Sequence, residues 1–284
     1  MNILIVGASG LVGSRLFDGL SDGHIVHGTW LSSEGPASRM FRWNIIKDTP
    51  EMLLQRGRPD VVITVLRAGR DCPVELLRHV FCGLGGFCRT NSIHLVHFSC
   101  DSVFGGEDGV FSEESLCRPC ASDGEAARTV EEALLMSMAS VAIVRVSHVF
   151  GMYPDRRFDR RLAVLESSLE RGAEVSRFKD SFKQPLWAGE LVRPVSEIIR
   201  RRFTGVLHLA GEPHTQYDFA RSFAVACGYE IGRIRPVFKD ETEAGEKLCS
   251  RSLLCTRKAA NDFGFSPMPL PLSMAEAVKQ KLRR

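Results

Sequence analysis

The first thirty residues constrain what this chain can fold into more than any other stretch. Asn2-Ile3-Leu4-Ile5-Val6 is an unbroken apolar run that stops at Gly7-Ala8-Ser9-Gly10-Leu11-Val12-Gly13, after which Ser14 to Leu20 carries apolar residues at helical spacing. The predicted order is strand, glycine turn, helix. A second β-branched run, His24-Ile25-Val26-His27, closes a strand–helix–strand unit of about thirty residues, the length that a parallel crossover needs. In such a unit Gly7 allows the tight turn, Gly10 lets backbone N–H groups approach a pyrophosphate, and Gly13 lets the helix pack closely on the sheet. The positive helix end then faces the phosphates. With Ser9, Leu11 and Val12, these glycines form the predicted dinucleotide cradle.

The rest of the first half continues the alternation. Residues 40–44 predict an edge strand, 50–56 a short helix, 61–65 a buried strand, 74–89 a helix, 93–98 a strand, 124–138 a helix and 141–146 a strand, with a glycine-rich loop at 105–109. Gly83, Gly85 and Gly86 each weaken the helix over 74–89 by about 1 kcal/mol relative to alanine. Strands alternating with helices predict an α/β fold, a Rossmann-type doubly wound parallel sheet. Beyond Gly151 the rhythm loosens into helices over 158–171, 190–201 and 217–228, a strand over 205–210, and a last helix from Ser273. This half predicts a smaller C-terminal α+β substrate lobe closing over the carboxyl ends of the strands. The expected division is a dinucleotide-binding domain over 1–150, joined by about 182–210, and a mostly substrate-binding lobe over 151–284.

Composition excludes several function classes. With 37 basic against 34 acidic residues and a net charge of +3, no field of one sign argues for nucleic acid or an anionic membrane. No apolar run reaches the roughly 20 residues of a membrane span, and the N-terminal stretch lacks the basic flank of a signal peptide, so a cytoplasmic location is expected. Nine cysteines at irregular spacing fit reduced thiols better than a disulfide framework. Cys117-Arg118-Pro119-Cys120 has no second C-x-x-C to complete a zinc site, and no metal is expected. His94 and His97 fall in a buried strand and read as core or cleft histidines.

Several landmarks in this order resemble one family. Gly7 to Gly13, Phe98-Ser99-Cys100-Asp101-Ser102-Val103-Phe104-Gly105-Gly106, Arg145-Val146-Ser147-His148-Val149-Phe150-Gly151, Gly205-Val206-Leu207-His208-Leu209-Ala210-Gly211 and Cys255-Thr256-Arg257-Lys258 resemble the dTDP-4-dehydrorhamnose reductases. These are extended short-chain dehydrogenase/reductases, with the regulatory β-subunit of methionine adenosyltransferase among their relatives. The resemblance covers essentially the whole chain. It implies NAD(P)H in the first lobe and a nucleotide-linked 4-keto-6-deoxy sugar between the lobes, with Ser102, His148 and Gln184 at the sugar and Asn44, Val65 and Leu66 beside the cofactor.

The family's chemistry uses a tyrosine, a lysine four residues later and a Ser/Thr hydroxyl. Here the sequence departs from the pattern. Asp123 falls where the tyrosine belongs, Ala127 where the lysine belongs, and Cys100, beside Ser99, at the hydroxyl position. The three tyrosines, Tyr153, Tyr217 and Tyr229, lie past the motif and none precedes a lysine by four. Asp123 reads either as a replacement acid held protonated by burial or as a helix cap supplied with Ser122. The candidate catalytic residues are Asp123, Cys100 and Ser99.

Cofactor preference is read at the end of the second strand. An acidic residue there would favour NAD, and His27-Gly28-Thr29-Trp30-Leu31-Ser32-Ser33 has none. NADP(H) is therefore expected, with Ser32, Ser33 and Arg39 available to a 2′-phosphate and Trp30 to the adenine. Two functions fit. One is an NADP(H)-binding protein without the standard relay, with altered chemistry or a ligand-sensing role, as a homodimer or with a protein partner. The other is an active reductase of a nucleotide-sugar keto group using a non-standard proton donor.

Overall fold

The computed structural model describes residues 1–31, 38–54, 57–66, 73–105, 108–242 and 251–282. The chain runs β1 (Asn2–Val6), α1 (Leu11–Ser21), β2 (Ile25–Trp30), β3 (Met40–Arg42), β4 (Val61–Thr64), α2 (Val74–Thr90), β5 (His94–Cys100), β6 (Gly109–Phe111), α3 (Ser122–Met136), β7 (Val141–Val146) and β8 (Val149–Phe150). It continues through α4 (Arg160–Glu170), β9 (Val175–Phe178), β10 (Phe182–Lys183), β11 (Leu186–Trp187), α5 (Val192–Arg201), β12 (Gly205–Leu209) and β13 (His214–Thr215). The last elements are α6 (Gln216–Cys227), β14 (Ile234–Val237), β15 (Ser252–Leu254), a short helix α7 (Arg257–Phe263) and α8 (Leu270–Leu282). None of the described helices is long and apolar enough to cross a membrane.

Seven strands form one sheet in the order β12-β7-β5-β4-β1-β2-β3, and every pairing in it is parallel. The order in which strands are added reverses between β1 and β4, the switch point at which doubly wound sheets open a crevice for ligands. Both faces are covered, which is why the strands read as continuous apolar runs rather than alternating ones. Ile3, Ile5, Ile63, Phe98 and Val144 pack against Leu16 and Phe17 of α1 and Val195, Ile198 and Ile199 of α5. The alternate residues Leu4, Val6, Val62, Leu95 and Ile143 face Leu77, Phe81 and Leu84 of α2 and Val130 and Leu134 of α3. A separate core joins Phe150, Phe158, Leu162, Phe219, Phe223 and Met274 in the second half of the chain.

Several elements differ from the sequence expectation for identifiable reasons. α2 runs unbroken through its three glycines because one of them is a packing device: a Cβ on Gly85 would sit 2.5 Å from the Ser137 Cβ, just past α3. Gly109, expected in a loop, opens β6, which gains a ladder from β15 far along the chain. α7 was not predicted; seven residues carry too little periodicity, although Ala259 and Phe263 enter the sheet core. α8 starts at Leu270 rather than Ser273, since Pro271 lies in the first turn, where no intrahelical N–H is needed. Residues 50–54 form a single 3₁₀ turn.

A buried ion pair ties α3 to the sheet. The Arg145 guanidinium donates to both Glu131 oxygens, at 2.6–3.2 Å, with side chains 5% and 4% exposed. It also lies over the Phe104 ring at 5.0 Å. Replacing Arg145 with Met strands a buried carboxylate and is expected to lower unfolding free energy by about 3–5 kcal/mol, with most of the loss recovered when Glu131→Leu is added; urea denaturation reads both values. The histidines of β5 give a second prediction. Burial holds His97 down to about 4, and burial followed by the charge of Arg202 does the same for His94. Both therefore stay neutral in the fold while the unfolded side chain titrates near 6.5. Stability is complete above that value and declines as pH falls from 6.5 toward 4, by up to about 1.4 kcal/mol per pH unit for each histidine. His97→Asn should flatten the pH dependence of the unfolding free energy by one proton.

Candidate functional site

The glycine loop is built by backbone contact. Gly7 has φ +88°, and the Gly10 N–H donates to the Gly7 carbonyl at 3.1 Å, closing a tight turn. A Cβ on Gly13 would collide with that same carbonyl oxygen and come within 2.8 Å of the Ala8 Cα, so α1 rests directly on the end of β1. Gly10 opens the helix and no side chain caps its first turn, which leaves amide donors directed at an incoming anion. Val65 and Leu66 wall the loop: their side chains lie 3.2 and 3.1 Å from where a Gly7 Cβ would be. β2 anchors it, since the Gly7 N–H donates to Thr29 Oγ1 at 3.2 Å and the Ala8 N–H to the Thr29 carbonyl at 2.9 Å. Ser9, Leu11 and Val12 are half-buried around the turn. The turn is thus closed by backbone, with no side chain between β1 and the start of α1.

The other expected cofactor contacts divide. Trp30 closes β2 and is half-buried, whereas Ser32 and Ser33 lie outside the described residues. Arg39 is exposed, its guanidinium 5.7 Å from the centre of the Phe17 ring. Asn44 is used locally: its Oδ1 accepts the amides of Ile46 and Lys47 at 2.9 and 3.3 Å, an Asx turn that occupies the oxygen.

A second group of polar side chains gathers past the carboxyl ends of β5 and β7. β5 delivers Ser99 and Cys100, and the 3₁₀ turn Asp101–Phe104 follows at once. The Ser99 Oγ is buried with no hydrogen-bond partner among the described residues. Ser102 Oγ donates to Asp123 Oδ2 at 3.2 Å. Asp123 lies within α3, whose N-cap is Ala121 with no side-chain cap bond; the helix-cap reading of Ser122 or Asp123 is therefore corrected. Gly124 brings the helix start onto the turn, since a Cβ there would strike the Ser102 carbonyl oxygen and lie 2.9 Å from Pro119. Ala127 packs against the small apolar cluster of Val103, Phe104, Ala210 and Leu254.

Three residues outside the sequence-derived set complete this group. Asp101, 8% exposed, accepts the Ser147 hydroxyl at 2.8 Å and the Lys183 ammonium at 2.9 Å on the same oxygen, Oδ2. Asp101 and Ser147 carried a positional signal, because each immediately follows a central parallel strand. Lys183 carried none, being a lone lysine on a two-residue strand. His148, next to Ser147, is pushed down to about 3 by burial and then by the charges of Arg161 and Lys183; its Nε2 is buried and unpartnered among the described residues. Gln184 is committed to the scaffold: its amide donates to the Leu254 carbonyl at 2.9 Å and accepts the Leu254 N–H at 2.7 Å. That amide is a staple between β10 and β15, with both ends used.

The cysteines of the C-x-x-C act separately. Cys117 Sγ accepts from Arg145 at 3.1 Å, and Cys120 Sγ donates to the Gly105 carbonyl at 2.6 Å. The seven described cysteines are free thiols, and among the described residues no three His, Cys, Asp or Glu side chains form a metal-holding group. The tyrosines are engaged away from α3: Tyr229 Oη donates to Glu170, Arg157 lies over Tyr153, and Arg221 over Tyr217.

Residues 81–283 match the family described as the RmlD substrate binding domain. A dTDP-4-keto-6-deoxy-D-glucose reductase of Streptomyces niveus is 32% identical over 189 residues, covering 65% of this chain and 64%, just under two thirds, of the relative. A probable low-salt glycan biosynthesis reductase, Agl14, of Haloferax volcanii is 26% identical over 292 residues, covering 97% and 96%. In fold, the chain is similar to the dTDP-4-dehydrorhamnose reductase of Bacillus anthracis solved in complex with NADP, with a TM-score of 0.82 over 98% of this chain and 99% of that one, at 16% identity. The chain thus belongs to the RmlD substrate binding domain family, among the dTDP-4-dehydrorhamnose reductase-like members of the extended short-chain dehydrogenase/reductases.

Proposed function

We propose that this protein binds NADP(H) in the cradle from Gly7 to Gly13, takes a nucleotide-linked keto sugar over the carboxyl ends of β5 and β7, and reduces it with a proton donor other than tyrosine. The observation that carries this reading is the cradle, in which an uncapped helix start meets a backbone loop closed to any side chain at Gly13. It sits at the switch point of the sheet, on the same rim as Ser99, Asp101, Ser147 and His148. When bound, the dinucleotide supplies hydride; the chain's own residues hold the sugar and manage the proton. The names of the Streptomyces and Haloferax relatives, both reductases, support the same class. In this reading residues 1–150 with about 182–210 form the cofactor lobe and most of 151–284 the sugar lobe, in keeping with the two separate cores. The free thiols fit work in a reducing cytoplasm.

Preference for NADP(H) is supported by the absence of an acidic residue at Trp30 and Leu31, where β2 ends, and by the exposed Arg39 beside it. A second reading is favoured by Asp123 and Ala127 at the positions of the tyrosine and lysine: a subunit that holds both ligands without turnover and reports their presence to a partner.

Two measurements test this function. NADPH absorbance is followed on adding dTDP-4-keto-6-deoxy-D-glucose. Oxidation supports the reductase; binding of both ligands by calorimetry with no oxidation supports the sensor, and no NADPH binding overturns both. Gly13→Val, checked for folding by circular dichroism, should abolish NADPH binding by driving α1 off β1. Arg39→Ala is expected to weaken NADPH by about tenfold, the loss of one charged hydrogen bond of about 1.5 kcal/mol, while leaving NADH unchanged; equal loss for both cofactors would show that Arg39 does not read the 2′-phosphate.

A further inference from the structure

The geometry points to Lys183, held by Asp101, as the group that hydrogen-bonds the substrate's carbonyl oxygen and delivers its proton. This rests on the reductase reading above and names the donor that reading leaves open.

Placement is the first argument. Asp101 and Ser147 follow the carboxyl ends of β5 and β7, the central strands over which a ligand of such a sheet is bound. Lys183 comes to the same carboxylate oxygen from β10, an element outside the seven-stranded sheet. Its backbone is fixed twice. Lys183 pairs with His214 in the antiparallel β10–β13 ladder, and the next residue, Gln184, has both ends of its side-chain amide on Leu254. The long side chain is therefore aimed from an anchored base.

Donor capacity is the second argument. An ammonium has three N–H donors, and among the described residues one is used, on Asp101. The Lys183 side chain remains 41% exposed while its partner is 11% exposed, so the ammonium faces the open side of the pair. Asp123 already accepts a hydrogen bond from Ser102. His148, which feels the charge of Lys183, has a buried and unpartnered Nε2 among the described residues and suits a sugar hydroxyl rather than an apolar ligand.

The proton balance closes without a tyrosine. The carbonyl carbon gains hydride from the reduced nicotinamide, the C=O π pair moves to oxygen, and that oxygen takes a proton from the Lys183 ammonium. The products are an alcohol, oxidised nicotinamide and a neutral Lys183 amine, which regains its proton from water through its exposed side. Asp101 is a positioning residue: it holds the ammonium through Oδ2 and does not itself meet the substrate.

The test uses the full-length, NADP-loaded protein. Acetylation of Lys183 by an N-hydroxysuccinimide ester is read by mass spectrometry with and without saturating dTDP-4-keto-6-deoxy-D-glucose, and loss of labelling in the presence of the sugar is expected. Lys183→Met should lower kcat by about 10²–10⁴-fold, the usual share of a general acid, with NADPH affinity and KM within about threefold. Labelling that the sugar does not change, or turnover in Lys183→Met close to that of the wild type, overturns this role and leaves the reductase reading standing. A wild type that never oxidises NADPH overturns the reductase reading and the role together.

Discussion

The seating of α1 on β1 is the contact on which the rest of the site depends. Two backbones meet there with nothing between them, since a side chain at Gly13 would occupy the place of the Gly7 carbonyl. Close approach has two consequences that a looser packing could not combine. It puts the unpaired amides of the helix start within reach of the sheet's carboxyl edge, and it keeps that edge free of side chains at the switch point between β1 and β4. The loop is rigid because Thr29 of β2 takes two of its amides. Under the proposed function a phosphate would meet donors already oriented, and little ordering entropy would oppose its binding.

The same packing logic recurs at the second half of the site. Gly124 lets the start of α3 touch the turn after β5, and the buried Arg145–Glu131 pair fixes the middle of α3 against β7. These two contacts hold the helix at a distance where Asp123 meets Ser102. Arg145 also reaches Cys117 Sγ and His208 Nε2, which extends the pair into a buried polar network. Such a network contributes placement more than net stability, because desolvating both charges offsets most of their attraction.

How much of this could be read from the sequence follows from how local each determinant is. The β1–α1–β2 unit was legible because its strand, turn and helix are contiguous and the glycines occur where backbone contact requires them. β4, β5 and β7 were legible as apolar runs buried on both faces. The resemblance named Ser102, His148 and Gln184 as candidates, yet only the structure shows that Gln184 spends its amide on Leu254, seventy residues away. The local use of the Asn44 oxygen was hidden for a comparable reason, since the signal of the turn that engages it spans three residues. The β6–β15 and β9–β14 ladders join segments with no mutual signal in the chain. Lys183 was illegible altogether: a two-residue strand has no periodicity, and nothing near it in sequence names Asp101 as its partner.

Asp101 explains why a cation is needed at that point. A carboxylate 8% exposed at the end of a central strand carries a large desolvation cost unless donors surround it. Ser147 alone supplies one neutral hydrogen bond; Lys183 supplies the compensating charge. The pair is nearly neutral as a unit, so it has little long-range attraction for an anion such as a carboxylate or sulfate. What it does present is the N–H donors of Lys183 not used on Asp101, on a side chain 41% exposed. Anything that covers Lys183 must offer those donors acceptors or leave the ammonium unsatisfied, at a cost of about 1–3 kcal/mol or more.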